Sequence, residues 1–271
     1  MATISEGCVL NRCLSRLLTV LAMLAAWVPA QGADFTACVD PDPPPWAFWV
    51  RDAQGRKTGQ LDGFSIELIQ RAFARIGKSV SIEGEYPWPR CMGLVEQGQI
   101  DFAMDGYYSE ARAKRFAYSA HFSTLTPQVY YRSGADVRIR TKADLKRYRG
   151  CGMTGASYAH YGLAPDDLDL GVTSHDVLVA KLLVGRCDYF VEELEVMAAF
   201  QMIGKDYLAG GKIAHGPVAD AQGPSKYFMT ALKGRGSAIL PDLDRAIGEL
   251  VASGDAERLW RRYAPNLPYR P

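Results

Sequence analysis

The chain has 271 residues, 48% of them hydrophobic, with 31 lysines and arginines set against 30 aspartates and glutamates. A formal net charge of +1 gives no electrostatic case for nucleic acid or an anionic membrane as partner. No low-complexity tract interrupts it, and its length suits one large domain or two modest ones.

Arg12 and Arg16 precede an apolar run from Leu17 to Val28, and Val28-Pro29-Ala30 supplies small residues where a signal peptidase reads. The run is too short to span a bilayer comfortably. A secretory signal peptide over residues 1–30 is expected, cut after Ala30, with Ala33 the second choice. Cys8 and Cys13 lie in the polar part of this leader, which argues against a lipid-anchored cysteine. The leader carries Arg12, Arg16 and Glu6, leaving 29 basic and 29 acidic side chains in a mature chain expected to be soluble once exported to the periplasm. Four cysteines remain, Cys38, Cys91, Cys151 and Cys187, and in an exported chain an even count favours disulfides, with three pairings open. No Cys-x-x-Cys or His-x-His spacing occurs, so a zinc site is not expected.

Phe35 to Val39 reads as the first strand, stopped by Asp40-Pro41-Asp42-Pro43-Pro44-Pro45-Trp46, whose prolines cannot donate to a ladder. Trp46 to Val50 followed by Arg51-Asp52-Ala53-Gln54-Gly55 suggests a hairpin. From Gly63 to Ile76, Phe64, Leu68, Ile69, Ala72, Phe73 and Ile76 recur at helical spacing. The stretch from Pro87 to Ser119 then carries a short helix, a tight turn at Gly98, the apolar run Ile100, Phe102, Ala103 and Met104, and a polar, aromatic segment ending in Arg112. Such a run fills a buried parallel strand, and open α/β sheets take ligands beyond the carboxyl ends of their strands. Arg112 offers a planar charged fork for a carboxylate, beside the flat faces of Trp88, Tyr107 and Tyr108. The plainer alternative makes Arg112 a surface residue and the tyrosines rim packing.

Gln128 to Arg132 is strand-like and is expected to cross between two lobes, with a short helix at Thr141-Lys142-Ala143-Asp144-Leu145 after it. Gly150-Cys151-Gly152-Met153-Thr154-Gly155 matches the dinucleotide pattern Gly-x-Gly-x-x-Gly, but Lys146-Arg147-Tyr148-Arg149 stands where a strand should precede it, so no nucleotide and no other cofactor is expected. A strand over Cys151 to Thr154 leading into a helix start at Gly155-Ala156-Ser157 is preferred, where free N–H groups and the Ser157 hydroxyl can hold a carboxylate. Ser174 caps a further helix. Gly185 to Glu193 then repeats the order seen at Gly98 to Asp105: Gly-x-x-Asp, apolar strand, acid. Lys226-Tyr227-Phe228-Met229 reads as a return crossing, Pro241 as the opening of a helix, Ala256 to Tyr263 as the last helix, and Pro265 to Pro271 as a tail.

Trp88-x-Arg90, Gly98-x-x-Asp101, Ser109-Glu110-x-Arg112 and Phe116-x-x-Ser119 together resemble the signature of type II periplasmic solute-binding proteins, specifically the bacterial extracellular solute-binding proteins of family 3, which serve polar amino-acid uptake. Asp62-Gly63-Phe64-Ser65-Ile66-Glu67-Leu68-Ile69 and Gly185-Arg186-Cys187-Asp188 carry the likeness over nearly all of the chain after its leader. The resemblance implies an α/β fold of two lobes joined by two crossings: 31–131 in lobe one, 132–224 in lobe two, and 225–271 returning to lobe one. Placing both members of each pair within one lobe, the expected disulfides are Cys38 with Cys91 and Cys151 with Cys187. The family's ligand-contacting loop falls on Asp40, Pro43 and Trp46, its carboxylate arginine on Arg112 and its Ser/Thr on Ser157. The acid five places after Asp188, which in the family receives the ligand's α-amino group, is Glu193 here, where aspartate is usual; Glu192 competes, because a strand turns only one of the two toward the cleft. The family's serines and threonines before the arginine are replaced by Asp105-Gly106-Tyr107-Tyr108.

The implied function is capture of an amino acid or related small carboxylate by hinge closure and delivery to the permease of an inner-membrane ABC transporter, by a monomer that is not an enzyme. Two alternatives stand beside it. One is a prephenate or arogenate dehydratase on the same fold with a cleft glutamate as general acid, although His121, His160, His175 and His215 show no recognisable pairing and Ser157 lacks a nucleophile elbow. The other is an accessory or sensor protein without a transporter.

Overall fold

The computed structural model describes residues 32–41 and 44–271; the expected signal peptide and Pro43 lie outside the described residues. In chain order, β1 (Phe35–Cys38) is followed by the hairpin of β2 (Phe48–Arg51) and β3 (Lys57–Asp62), then α1 (Phe64–Arg75), β4 (Val80–Glu83), α2 (Trp88–Glu96), β5 (Phe102–Tyr107), α3 (Glu110–Ala113), β6 (Phe116–Tyr118) and β7 (Ser123–Thr124). The second half holds β8 (Pro127–Arg132), α4 (Lys142–Leu145), β9 (Gly150–Met153), β10 (Leu168–Val172), α5 (His175–Leu183), β11 (Tyr189–Glu193), α6 (Leu194–Ala199) and β12 (Ile213–Pro217). It closes with β13 (Ser225–Ala231), α7 (Arg235–Ala252) and α8 (Asp255–Tyr263).

Two sheets follow one plan. The first runs β4-β1-β5-β13-β6, with β7 also on β13; the second runs β10-β9-β11-β8-β12. Each has three parallel strands, then one antiparallel strand that has just arrived from the other lobe: β13 against β5, and β8 against β11. The repeated Gly-x-x-Asp serves both halves alike. Asp101 accepts from Thr36 N at 2.9 Å at the start of β1, and Asp188 accepts from Arg149 N at 3.0 Å just before β9, so each acid ties its own strand to the parallel neighbour. Each is also paired with an arginine, Arg235 and Arg149 respectively.

All five residues of β8 that pair with β11, Pro127 to Tyr131, lie in the second sheet. The first crossing therefore falls at Leu125 and Thr126, ahead of the residues 128–132 expected from sequence. It runs beside the return crossing: Leu125 N donates to Pro224 O at 3.0 Å, and a Cβ on Gly223 would come within 1.8 Å of Leu125 O. Only glycine permits that approach. On the lobe-two side, the buried Glu195 carboxylate accepts from Thr126 N at 2.9 Å and Thr126 Oγ1 at 2.7 Å, fixing the crossing to α6.

The apolar spacing read between Gly63 and Ile76 forms α1, whose Phe64, Leu68, Ile69, Ala72 and Phe73 are fully buried against α7 and α8. Its first turn is capped by backbone alone. Phe64 N and Ser65 N donate to Pro45 O and Trp46 O, and Gly63, at φ 137°, lies where a Cβ would meet Trp46 O at 2.2 Å. Two sequence expectations are revised. Pro241 does not open a helix: α7 starts at Arg235 with Pro241 inside it, because Gly236 and Leu240 in the preceding turns are buried. Gly155 to Ser157 is followed by a single 3₁₀ turn, Ala159–Tyr161, with Ser157 in the loop ahead of it.

Cys38 is bonded to Cys91 and Cys151 to Cys187, each with Cα atoms 5.8 Å apart, within the span a disulfide bridges. The first joins β1 to α2 and the second joins β9 to the turn before β11. Neither links the lobes. Among the described residues, no helix is long and apolar enough to cross a membrane and no cluster of ligands could hold a metal ion.

Candidate functional site

A cleft of about 360 Å³ opens between the carboxyl ends of the two sheets' parallel strands. Lobe one contributes Asp40, Trp88, Asp105, Tyr107, Arg112 and Lys226; lobe two contributes Met153, Thr154, Ser157, the stretch Thr173 to Asp176, Glu192 and Lys205.

Arg112 is aimed by its own short helix. Ser109 Oγ caps α3 by accepting from Arg112 N at 3.3 Å, and the guanidinium donates to Tyr107 O at 3.1 Å and, across the cleft, to Gly155 O at 3.3 Å. Its carbon lies 5.7 Å from the centroid of the Trp88 ring. Burial draws its pKa down from the ordinary value, against the pull of Tyr118 and Tyr107. Two of its five N–H donors are engaged by these carbonyls, so the fork keeps donors for a carboxylate.

Asp105 sits in β5 at φ 65°, a left-handed conformation that few side chains tolerate. Here β5 and β13 slip register between Tyr227 and Met229, and a Cβ on the next residue, Gly106, would meet Met229 Sδ at 2.0 Å. The irregularity turns Asp105 toward α1, where Ser65 Oγ donates to it at 2.5 Å. Burial raises its pKa, opposed by Lys226 and by the Ser65 hydrogen bond.

Strand alternation separates the two glutamates of β11. Glu192 lines the cleft, accepts from Glu193 N at 3.1 Å, and lies 2.9 Å from His175 Nε2. Glu193, only 2% exposed, faces the other side of the sheet. It lies 2.7 Å from His160 Nε2, accepts from Tyr107 OH at 2.8 Å, and has Tyr161 OH at 3.4 Å. Glu193 therefore does not line the cleft, contrary to the count from Asp188; its neighbour does. Burial, then repulsion from Glu193, raises Glu192 well above the ordinary carboxyl value. Burial also acts on Glu193, but His160, Glu192 and Tyr107 as hydrogen-bond partners outweigh it and hold the pKa down. His175, 2.9 Å from Glu192, is pushed down to about 4 by burial.

The other expected site residues divide. Asp40, Trp88, Tyr107 and Ser157 line the cleft, and Asp40 also accepts from Trp88 N at 2.9 Å, which starts α2. Trp46 does not: it is 1% exposed, packed on Trp260, with Lys226 Nζ 4.3 Å above its ring. Tyr108 is 54% exposed, stacks obliquely on Tyr118, and borders a separate recess with His160 and Tyr227.

A family profile for bacterial extracellular solute-binding proteins, family 3, matches residues 35–266. The chain belongs to that family. Among curated proteins no match was found. Of solved structures, the substrate-binding protein of an amino acid ABC transporter is similar over 84% of this chain and 98% of its own, at 19% identity and TM-score 0.66. AbpA from Streptococcus pneumoniae, bound to L-arginine, is similar over 84% and 93%, at 18% identity and TM-score 0.65. A histidine kinase sensor domain with similarity to periplasmic binding proteins is similar over 84% and 95%, at 18% identity and TM-score 0.66. At such identities the likeness establishes a shared fold.

Two features of this solute-binding protein escaped the sequence. His160 and His175 pair with Glu193 and Glu192 through contacts 33 and 17 residues apart, which local spacing does not display. Lys226 was placed only on a crossing strand, yet it lines the cleft at 5% exposure. A signal existed there: a single charge beside the apolar run Tyr227-Phe228-Met229 is an unusual occupant for a central strand.

Proposed function

We propose that this solute-binding protein captures an α-amino acid in the interlobe cleft without chemical turnover and delivers it to the permease of an ABC importer in the inner membrane. Arg112 and the Ser157 hydroxyl receive the α-carboxylate, and Glu192 receives the α-ammonium. The observation that carries this is the placement of Arg112 on one lobe and Glu192 on the other, both facing one cleft of about 360 Å³. A zwitterion then bridges the lobes, and only the closed form offers both contacts, so binding draws the hinge shut by differential affinity. The similar structures described as amino-acid transporter components, one bound to L-arginine, support that ligand class. Periplasmic residence and action as a monomer belong to the same proposal.

A thermal-shift screen of the exported protein against the amino acids and small organic acids tests it, because a ligand that binds only the folded state raises the midpoint by mass action. A rise with particular amino acids, unaccompanied by product, supports the reading. Arg112→Ala should weaken that ligand by about 100-fold, as expected when a charge-assisted bidentate contact is lost. Unchanged affinity would remove Arg112 from the site, and consumption of the ligand would make the cleft catalytic.

A further inference from the structure

We propose that Lys226 seats a second anionic group of the ligand, so that the cleft selects an acidic α-amino acid, one carrying a side-chain carboxylate. This rests on the amino-acid reading above and narrows it to a substrate class.

Lys226 stands on β13 directly opposite Tyr107 of β5, with Ser123 of β7 on its other side, so its position is set by two ladders at the mouth of the first sheet. It is 5% exposed and lines the cleft. Its ammonium lies 4.3 Å from the centroid of Trp46 and 5.2 Å from that of Tyr107, two faces that attract a cation but accept no conventional hydrogen bond. Among the described residues it has no hydrogen bond and no carboxylate within ion-pair distance. The ammonium borders the cleft with none of its three donors engaged by the protein, so a group arriving in the cleft can take them.

Three acids surround it, and each is turned elsewhere. Asp105 accepts from Ser65 Oγ, Glu192 is against His175, and Glu193 is engaged by His160 and Tyr107. Burial draws the Lys226 pKa down from the ordinary value, opposed at longer range by Asp105, Glu193 and Glu192. Lys226 thus differs from Lys205, the other lysine on the cleft, which is paired with Asp176. Arg112 and Lys226 flank the same residue: the guanidinium binds the Tyr107 carbonyl and the ammonium covers the Tyr107 ring. In this pose the α-carboxylate meets Arg112, the side-chain carboxylate, one or two methylenes beyond the α-carbon, meets Lys226, and the α-ammonium turns toward Glu192.

Calorimetric titration of the exported protein with L-aspartate, L-glutamate, L-asparagine, L-glutamine and L-arginine decides the matter. An acid should bind about 10- to 100-fold tighter than its own amide, the range for one charge-assisted contact in a desolvated site. Lys226→Met should collapse that acid-to-amide ratio to about one, whereas Lys226→Arg should retain most of it. The inference is overturned if an amide or arginine binds the wild type as tightly as the acids, or if Lys226→Met weakens acids and amides alike, which would make Lys226 a structural counter-charge to Asp105. The wild-type panel decides even if Lys226→Met does not fold. If amino acids bind through Arg112 without acid preference, only this inference fails; if none binds, the amino-acid reading fails with it.

Discussion

Adjacent glutamates on β11 occupy opposite electrostatic situations because a strand sends them to opposite faces. Glu193 is surrounded by donors and stays ionised; Glu192, buried beside that charge, resists ionisation. A ligand ammonium favours ionised Glu192 and so displaces its proton. Below the raised pKa the empty site holds that proton, so affinity for an α-amino acid should climb with pH from the ordinary carboxyl range up to the raised value and then level. Titrations in buffers of different ionisation enthalpy should register proton release at the lower end, and Glu192→Gln should abolish both the release and the slope. A slope of opposite sign would exclude Glu192 as the ammonium's partner. The same group weakens the empty protein. A native-state pKa raised above the unfolded value costs stability as pH rises from the unfolded pKa through the raised one, so Glu192→Gln should increase the ligand-free melting temperature at pH 7 while lowering affinity. That the count from Asp188 lands on Glu193 while leaving Glu192 in competition shows where counting stops: spacing locates the strand's end, but the face turned to the cleft depends on how β11 lies between β9 and β8.

At the level of elements, the strongest constraint lies where α1 begins. Its first turn has no side-chain cap and relies on the carbonyls of Pro45 and Trp46, which come so close that Gly63 has no room for a side chain. Gly63→Ala should cost at least about 3 kcal/mol, since it combines an unfavourable φ with an overlap against backbone. Gly77→Ala, at φ 68° in open space, should cost about 1 kcal/mol. Urea unfolding midpoints will compare the two, and equal losses would mean the loop yields to the added methyl. These elements were legible because their signals are local: α1 by its apolar period, the strand after each Gly-x-x-Asp by its apolar run, α5 by the Ser174 cap. Sequence failed where a distant contact decides. Pro241 marks a helix start by local rules, yet α7 begins earlier because Gly236 packs against Phe102 and Thr230. Trp46 lies among ligand-loop residues in sequence, but Trp260, more than two hundred positions later, claims it for the core.

For the molecule as a whole, two hydrogen bonds join the lobes directly. Tyr107 OH on lobe one donates to Glu193 on lobe two, and Arg112 reaches Gly155 O. Tyr107→Phe removes a hydrogen bond to a charged acceptor, worth about 1.5–3 kcal/mol, and should shift the ligand-free protein toward open forms. Small-angle scattering should record a larger radius of gyration for ligand-free Tyr107→Phe that returns to the wild-type value on saturation; identical ligand-free profiles would mean the contact contributes nothing to closure. The sheet order sets the order in which the two lobes can be completed. The second sheet is built from a continuous stretch, Pro127–Pro217, and can pair as soon as that stretch is free to fold. The first sheet has β13 at its interior, and β6 reaches it only through β13. Lobe one, although first in the chain, cannot cover that edge of β5 until β13, which follows the whole of lobe two, is in place.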